Sequence, residues 1–246
     1  MYRSILLSMF SRRERVLLTW QRVLRDAVLL YALVALLRLF VADIFMVPSG
    51  SMRPTLIVGD YVFVNRLAYG ASIEHSWLGR LVGLSQLWLW QHPVRGDVIV
   101  FRDPRSPDLF SVKRVVGLPG DRIAVAQSGY LSINGETTAR MVLDRAADIW
   151  SECLPNGRCQ RIRDNDAYRT EPAEQSPAVE IVRPDQFYVL GDDRAGSLDS
   201  RLGWQVPLAN ITGRVVGVAW SVDPMVSGLL NRIAKTRWMR VGETMR

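Results

Sequence analysis

Nineteen residues from Ala27 to Phe45 are apolar except for Arg38 and Asp43, and a helix needs about 20 such residues to cross a hydrocarbon core. No other part of the chain is apolar over that length, so these residues set the first constraint on the fold. A cleaved secretory signal also has a basic start and an apolar middle. However, no small-residue cleavage site follows Phe45, and Met46-Val47-Pro48 is bulky and rigid. A transmembrane helix over residues 26–45 is the expectation. Arg38 would snorkel to an interface or pair with a carboxylate, because a charge left mid-bilayer is costly. Residues 1–25 hold Arg3, Arg12, Arg13, Arg15, Arg22 and Arg25 against Glu14. The positive-inside rule keeps that segment cytoplasmic, as a single-pass protein of the inner membrane, and places the body after Phe45 on the periplasmic, extracytoplasmic side.

Charge is concentrated at the two ends. Of the net +7, residues 1–25 carry +5 and residues 229–246 carry +4, which leaves the body between them at −2. Basic ends on a near-neutral body fit a lipid bilayer as partner and argue against nucleic acid. With two His, His75 and His92, and two Cys, Cys153 and Cys159, no set of four closely spaced ligands for a structural zinc can be drawn. The cysteines bracket Leu154-Pro155-Asn156-Gly157-Arg158, whose Pro, Asn and Gly favour a turn that brings the thiols together. In an oxidising compartment a disulfide is expected; two free thiols on a loop are the alternative. Nothing points to a homo-oligomer.

After Phe45 the chain reads as strands. Tyr61–Asn65, Asp97–Phe101, Ser111–Val116, Arg122–Ala126, Gln186–Leu190 and Ile211–Ser221 are short, rich in Val, Ile, Phe and Tyr, and mostly bounded by Gly, Pro, Asn or Asp. The body, residues 46–222, is therefore mainly β. Between Gly70 and Arg95 lie Trp77, Leu78, Leu81, Val82, Leu84, Leu87, Trp88, Leu89 and Trp90. They fit a short buried helix or a loop dipping into the outer leaflet. The basic tail, residues 223–246, with Leu229, Leu230, Ile233 and Trp238, admits the same two readings, and packing against the body is the expected one.

Chemistry concentrates in three places. Pro48-Ser49-Gly50-Ser51-Met52-Arg53-Pro54-Thr55-Leu56 presents two serines on a rigid loop just after the apolar span. In Phe110-Ser111-Val112-Lys113-Arg114-Val115-Val116, two adjacent cations point to opposite faces of a strand, so a face packed on a core draws one of them inward. Arg stays charged, whereas a desolvated Lys can lose its proton and act as a base, so Lys113 is the chemically useful one. Gly191-Asp192-Asp193-Arg194-Ala195-Gly196-Ser197-Leu198-Asp199-Ser200-Arg201 is polar enough for a hydrogen-bonded network; a calcium loop lacks its EF-hand spacing and closing Glu. A Ser-His-Asp arrangement is disfavoured, since neither His has an evident acidic neighbour to orient it.

Together these stretches resemble bacterial type I signal peptidases, membrane-bound Ser/Lys proteases that remove signal peptides. The resemblance runs from about Arg38 to Ser221 through four ordered blocks: Pro48–Leu56, Arg95–Phe101, Lys113–Asp121 and Gly191–Arg201. It implies Ser51 as nucleophile and Lys113 as general base. Ser49 would serve the oxyanion hole with the Ser51 backbone N–H, Ser197 would orient the Lys113 amine, and Asp199 and Arg201 would form a supporting ion pair. A groove with small apolar pockets is expected around Val47, Pro48, Met52, Leu56 and Val112, taking preprotein signal peptides that end in small residues of the Ala-x-Ala kind. The implied fold is an all-β Ser/Lys protease domain with a variable β region inserted over residues 122–184. No metal or organic cofactor is implied. In the last block Asp193, Ala195 and Gly196 stand where the family usually has Asn, Asp and Asn, which bears on how that loop packs. Two other classes compete: a maturation peptidase dedicated to one conjugation or secretion system, and a non-catalytic membrane-tethered β module.

Overall fold

The computed structural model describes residues 20–34, 42–71, 88–89, 91–126, 129–164 and 179–245. The chain divides into two units, Met1–Val41 and Ala42–Arg246. In the first, residues 20–34 form a helix, α1, whose side chains are exposed. Arg38 and residues 1–19 lie outside the described residues, and among those described no helix is long and apolar enough to cross a membrane.

The expected helix over 26–45 is corrected at its C-terminal end, because Ala42–Met46 is a β-strand, β1. It pairs antiparallel with β2 (Asp60–Asn65), Ala42 opposite Asn65 and Met46 opposite Tyr61. Asp43 accepts from the Ile44 N–H at 2.8 Å and faces Arg66 at 3.6 Å. Hydropathy does not distinguish the end of an apolar helix from an apolar strand that follows it, so Ile44 and Phe45 read as membrane residues in the sequence.

The second unit continues through β3 (Gly70–Ala71), β4 (Trp88–Leu89), β5 (Val98–Asp103), β6 (Ser106–Gly117), β7 (Arg122–Val125) and β8 (Leu131–Ile133). There follow β9 (Glu136–Thr137), β10 (Ala139–Asp144), β11 (Ile149–Cys153), β12 (Cys159–Arg163), β13 (Val179–Ile181) and β14 (Gln186–Leu190). The last elements are β15 (Val206–Pro207), β16 (Ile211–Ser221) and a short helix α2 (Leu229–Ala234). Seven strands form the main sheet in the order β1-β2-β16-β5-β6-β14-β15. The run Val98–Phe101 of β5 is apolar at every position because both its faces are covered: Val98 and Val100 enter one core with Val47, Met52 and Leu56, while Ile99 and Phe101 enter another with Val115, Phe187 and Trp204.

Between β6 and β14 two smaller sheets form, β10-β11-β12 and β13-β7-β8-β9. Strand β13 pairs with β7, Val179 opposite Ala124, so the inserted stretch closes on itself. Cys153 and Cys159 face each other across the β11–β12 hairpin and are disulfide-bonded. Of the Trp-rich stretch, Trp88 and Leu89 pair with Gly70–Ala71; the others named from it lie outside the described residues, as does His75. The tail differs from expectation. Leu229, Leu230, Ile233 and Trp238 are exposed, and the packing is made instead by Arg240 on Asp60, by Thr236 on Trp220 and by Met245 against the core.

The inserted sheet is joined to the polar 191–201 loop by buried charge. Glu152 of β11, fully buried, takes Arg194 of that loop in a two-pronged pair and also accepts from Arg140 at 2.9 Å and Gln160 at 3.0 Å. Burial by itself would raise this carboxyl, but Arg194 and Arg140 outweigh it and hold it at about 2, against an ordinary 4.5. Because the folded value lies below the unfolded one, the contribution is whole above about pH 4.5 and fades as pH falls towards 2. Glu152→Gln is expected to cost roughly 3–5 kcal/mol at neutral pH, since it leaves buried guanidiniums uncompensated. Urea unfolding of both proteins at pH 7 and pH 3 checks this, with the gap narrowing at the lower pH.

Candidate active site

The Met46–Asp60 loop is anchored before it is reactive. Its ends are tied by Val47 N–H to the Asp60 carbonyl at 2.8 Å and by Gly59 N–H to the Val47 carbonyl at 3.1 Å. Gly59 has φ +91°, and a Cβ there would lie 2.0 Å from the Val222 carbonyl oxygen, so only glycine fits. A hydrogen-bonded turn follows Ser51, closed by Leu56 N–H to the Met52 carbonyl at 2.8 Å. Met52 and Leu56 both enter the core beside Val47. Three apolar anchors therefore fix a backbone whose next polar side chain is Ser51.

Ser51 Oγ lies 2.7 Å from Lys113 Nζ, and both residues are buried, at 8% and 6% exposure. The amine also donates to the Val112 carbonyl at 3.1 Å. Ser49 Oγ stands 3.3 Å from Ser51 Oγ on the exposed side. Burial pushes the Lys113 amine below its ordinary value, against the pull of Asp199, Asp103 and Asp192, which favour the ammonium. A serine hydroxyl beside an amine that can be neutral is an arrangement capable of nucleophilic attack.

Lys113 and its neighbour occupy opposite faces of β6, but both faces are covered, so both cations are buried. Arg114 clamps Asp192 at 2.8 and 2.6 Å and donates to the Gly96 carbonyl at 2.8 Å. Asp192 also takes the Thr55 hydroxyl, and the Asp193 N–H donates to the Ser51 carbonyl at 3.1 Å. The 191–201 loop is thus bonded to the nucleophile's own backbone.

Within that loop, Asp199 is fully buried. It accepts from Gly191 N–H at 3.0 Å and from Arg201 at 2.7 and 2.9 Å. The acids that a calcium loop would offer are instead paired with arginines: Asp192 with Arg114, Asp193 with Arg163 at 3.4 Å and Asp199 with Arg201. At the departing positions Asp193 accepts from Gly196 N–H at 3.1 Å and reaches Arg163 of β12, while Ala195 and Gly196 are exposed.

One expected contact is not made. Ser197 Oγ is buried near the Ser51 carbonyl but has no hydrogen-bond partner, and the amine's second partner is the Val112 carbonyl. A cavity of about 60 Å³ beside the dyad is lined by Val47, Pro48, Met52 and Val112, and also by Phe45, Met46, Val100, Phe110 and Ser111. Leu56 is corrected to a core residue: fully buried, it does not line this cavity. The turn after Ser51 carries it into the core with Val62, Val64 and Val98. Phe45 and Phe110, whose rings are 5.3 Å apart, bring β1 and the N-terminal half of β6 together around the groove.

His92 is exposed and does not line the groove. Among the described residues no group of three His, Cys, Asp or Glu is placed to hold a metal ion. The Thr55–Arg114–Asp192 network was not legible as a network, since its members are far apart in the chain. One signal for Lys113 was available: it and Lys235 are the only lysines in 246 residues, in a chain that otherwise uses Arg.

Comparison with known proteins bears on the same residues. The family model described as signal peptidase, peptidase S26, matches residues 20–220. Signal peptidase I of Pseudomonas aeruginosa is 34% identical over 217 residues, covering 81% of this chain and 72% of that protein. Signal peptidase I of Rickettsia typhi is 32% identical over 226 residues, covering 82% of each. A solved signal peptidase I structure from Enterococcus faecalis is similar with a TM-score of 0.33 and 23% identity, over 51% of this chain and 97% of that one.

Gly191 is where the two halves of the site meet. A Cβ there would fall 2.2 Å from Ser197 Oγ and 2.5 Å from the Ser51 carbonyl oxygen. Gly191→Ala therefore forces Ser197 or the Ser51 backbone to shift, and a displacement of Ser51 near 1 Å is expected to cost about 10²-fold in turnover. Steady-state rates checked beside circular dichroism test this, with the β signal retained.

Proposed function

The chain belongs to the signal peptidases of family S26, and we propose that it is a membrane-anchored endopeptidase in which Ser51 and Lys113 form the catalytic dyad. The observation that carries this is the 2.7 Å contact between a buried serine hydroxyl and a buried lysine amine. In its neutral form Lys113 takes the Ser51 proton as Oγ attacks the carbonyl at the end of the signal peptide. The Ser51 backbone N–H and the Ser49 hydroxyl steady the negative oxygen that develops. Lys113 then returns the proton to the leaving amine, and water activated by the same amine hydrolyses the acyl-enzyme. Asp199 and Arg201 hold the loop that closes over the dyad; Ser197 packs there and supports the amine's surroundings.

The substrate is an exported preprotein whose signal ends in small residues of the Ala-x-Ala kind. A pocket near 60 Å³, walled by Val47, Met52, Val112 and the Phe45–Phe110 pair, suits a methyl-sized side chain. Strand β1 is an outer strand of the main sheet, and Ser106–Val112 of β6 pairs with β5, while β14 pairs with β6 from Arg114 onward. An extended peptide therefore has main-chain groups to pair with along the groove. The residues before β1 anchor the protein in the inner membrane, with the catalytic domain on the periplasmic side.

Incubating the purified full chain with a preprotein tests the dyad. Ser51→Ala and Lys113→Ala are each expected to lower cleavage by about 10⁴-fold or more; cleavage unaffected by either substitution sinks the proposal. The pH profile gives a second check. Burial lowers the Lys113 value, and the base works only when neutral, so the rate rises with pH through that lowered value and falls on the acid side of it. A rate insensitive to acid would argue against a lysine base.

A further inference from the structure

Three carboxylates favour the ammonium form of Lys113, against its burial, and each carries its own arginine. Asp199 of the 191–201 loop holds Arg201 at 2.7 Å, and Asp192 at the end of β14 holds Arg114 at 2.6 Å. The third is Asp103 of β5. It accepts from the Arg105 backbone N–H at 2.9 Å and from the Arg105 guanidinium at 3.1 and 2.9 Å, and from Ser111 Oγ at 3.4 Å. Ser111 lines the active-site groove two residues before Lys113, hence on the same strand face. That face is shared by Phe101, paired with Ser111, and Ile99, paired with Lys113. Phe101 meets Trp204, and the Arg105 guanidinium lies 4.8 Å above the Trp204 ring, so the arginine is held from a second side.

The three pairs differ in exposure. The side chains of Arg114 and Asp192 are almost wholly buried and brace the Ser51 loop, and Arg201 closes its own loop. Arg105 is 41% exposed over a buried Asp103, and its guanidinium contacts Asp103 and the Trp204 ring. It is placed to alter the field at the amine without holding the nucleophile.

We propose that the Asp103–Arg105 pair is a positioning element that sets the charge state of Lys113, Arg105 screening the amine from the Asp103 carboxylate. The proposal deepens the Ser51–Lys113 reading and rests on it for its effect on rate. Asp103 alone favours the ammonium and Arg105 disfavours it, both in addition to burial, which is the largest influence. Removing Arg105 therefore leaves an uncompensated buried carboxylate facing the base and holds Lys113 protonated to higher pH. Removing the carboxylate does the reverse. The Asp103–Arg105 turn thus fixes the pH range over which the dyad works.

The test uses the two-lysine composition. With lysine 13C-labelled at Cε, the full chain in detergent gives two side-chain signals, from Lys113 and the exposed Lys235, which is the internal reference. The Lys113 titration midpoint is expected to rise in Arg105→Gln, to fall in Asp103→Asn, and to return towards the parent value in the double variant. Arg105→Lys, which keeps the charge, is expected to leave it near the parent. The acid limb of preprotein cleavage should move in the same direction in each variant. Lys113 midpoints that coincide in all variants overturn the proposal. Midpoints that move while the acid limb stays fixed uphold the electrostatic coupling and instead remove Lys113 from the role of base, so the two failures are distinguishable. A surface pair with a merely structural role would change stability and leave both midpoints in place.

Discussion

An amine held out of water is the condition on which the rest of this molecule depends. Lys113 sits on β6 where both faces of the strand are covered, and burial is the largest influence on its proton. Once buried, it must find a partner within reach, and Ser51 supplies it at 2.7 Å. A charged lysine in water would neither take a proton from serine nor tolerate this position. The main sheet is therefore more than a scaffold: its thickness is what makes the chemistry available.

Burying one cation beside another requires that the remaining charges be organised. Arg114 follows Lys113 and cannot shed its proton, so it takes Asp192 in a two-pronged pair while Thr55 completes the cluster. Asp199 takes Arg201, and Asp103 takes Arg105. The carboxylates that would otherwise hold Lys113 protonated are thus each occupied. The Glu152–Arg194 pair extends the same pattern outward and ties the inserted β region to the loop beside the nucleophile. The disulfide hairpin meets the site indirectly: Asn156 donates to the Arg95 carbonyl at 2.9 Å, and the next residue, Gly96, accepts from Arg114 at 2.8 Å.

Much of the catalytic body was legible in the sequence. Six stretches read as strands correspond to strands β2, β5, β6, β7, β14 and β16, with ends shifted by a few residues at most in all but β6. Their Val, Ile and Phe content and Gly, Pro and Asn boundaries are local signals. The short strands of the inserted region, β8 to β12, were not read, because residues such as Arg140, Glu152 and Gln160 are polar yet buried through partners contributed by other strands. Strand β1 was hidden inside an apolar run that hydropathy assigned to the membrane. Among the groove residues, Val47, Met52 and Val112 were legible from their nearness to the dyad, whereas Phe110 and Val100 needed the strand register.

The sequence by itself determined the chemical cast. A serine on a rigid loop, a lysine in an apolar strand and a loop crowded with acids and arginines are properties of residue type and spacing, and their order along the chain is what carries the resemblance to signal peptidases. It also favoured neighbouring cysteines, because a five-residue turn with Pro, Asn and Gly separates them. The tertiary structure decided which of two serines meets the amine, that Leu56 belongs to the core, that the Ser197 hydroxyl has no hydrogen-bond partner, and that each carboxylate near Lys113 is matched by an arginine. Such outcomes turn on residues sixty or more positions apart, as Ser51 and Lys113 or Arg114 and Asp192 are, and a charge in a buried site has no value until its neighbours are fixed. Residue identity names the groups that can react; the sheet sets the distances that determine whether they do.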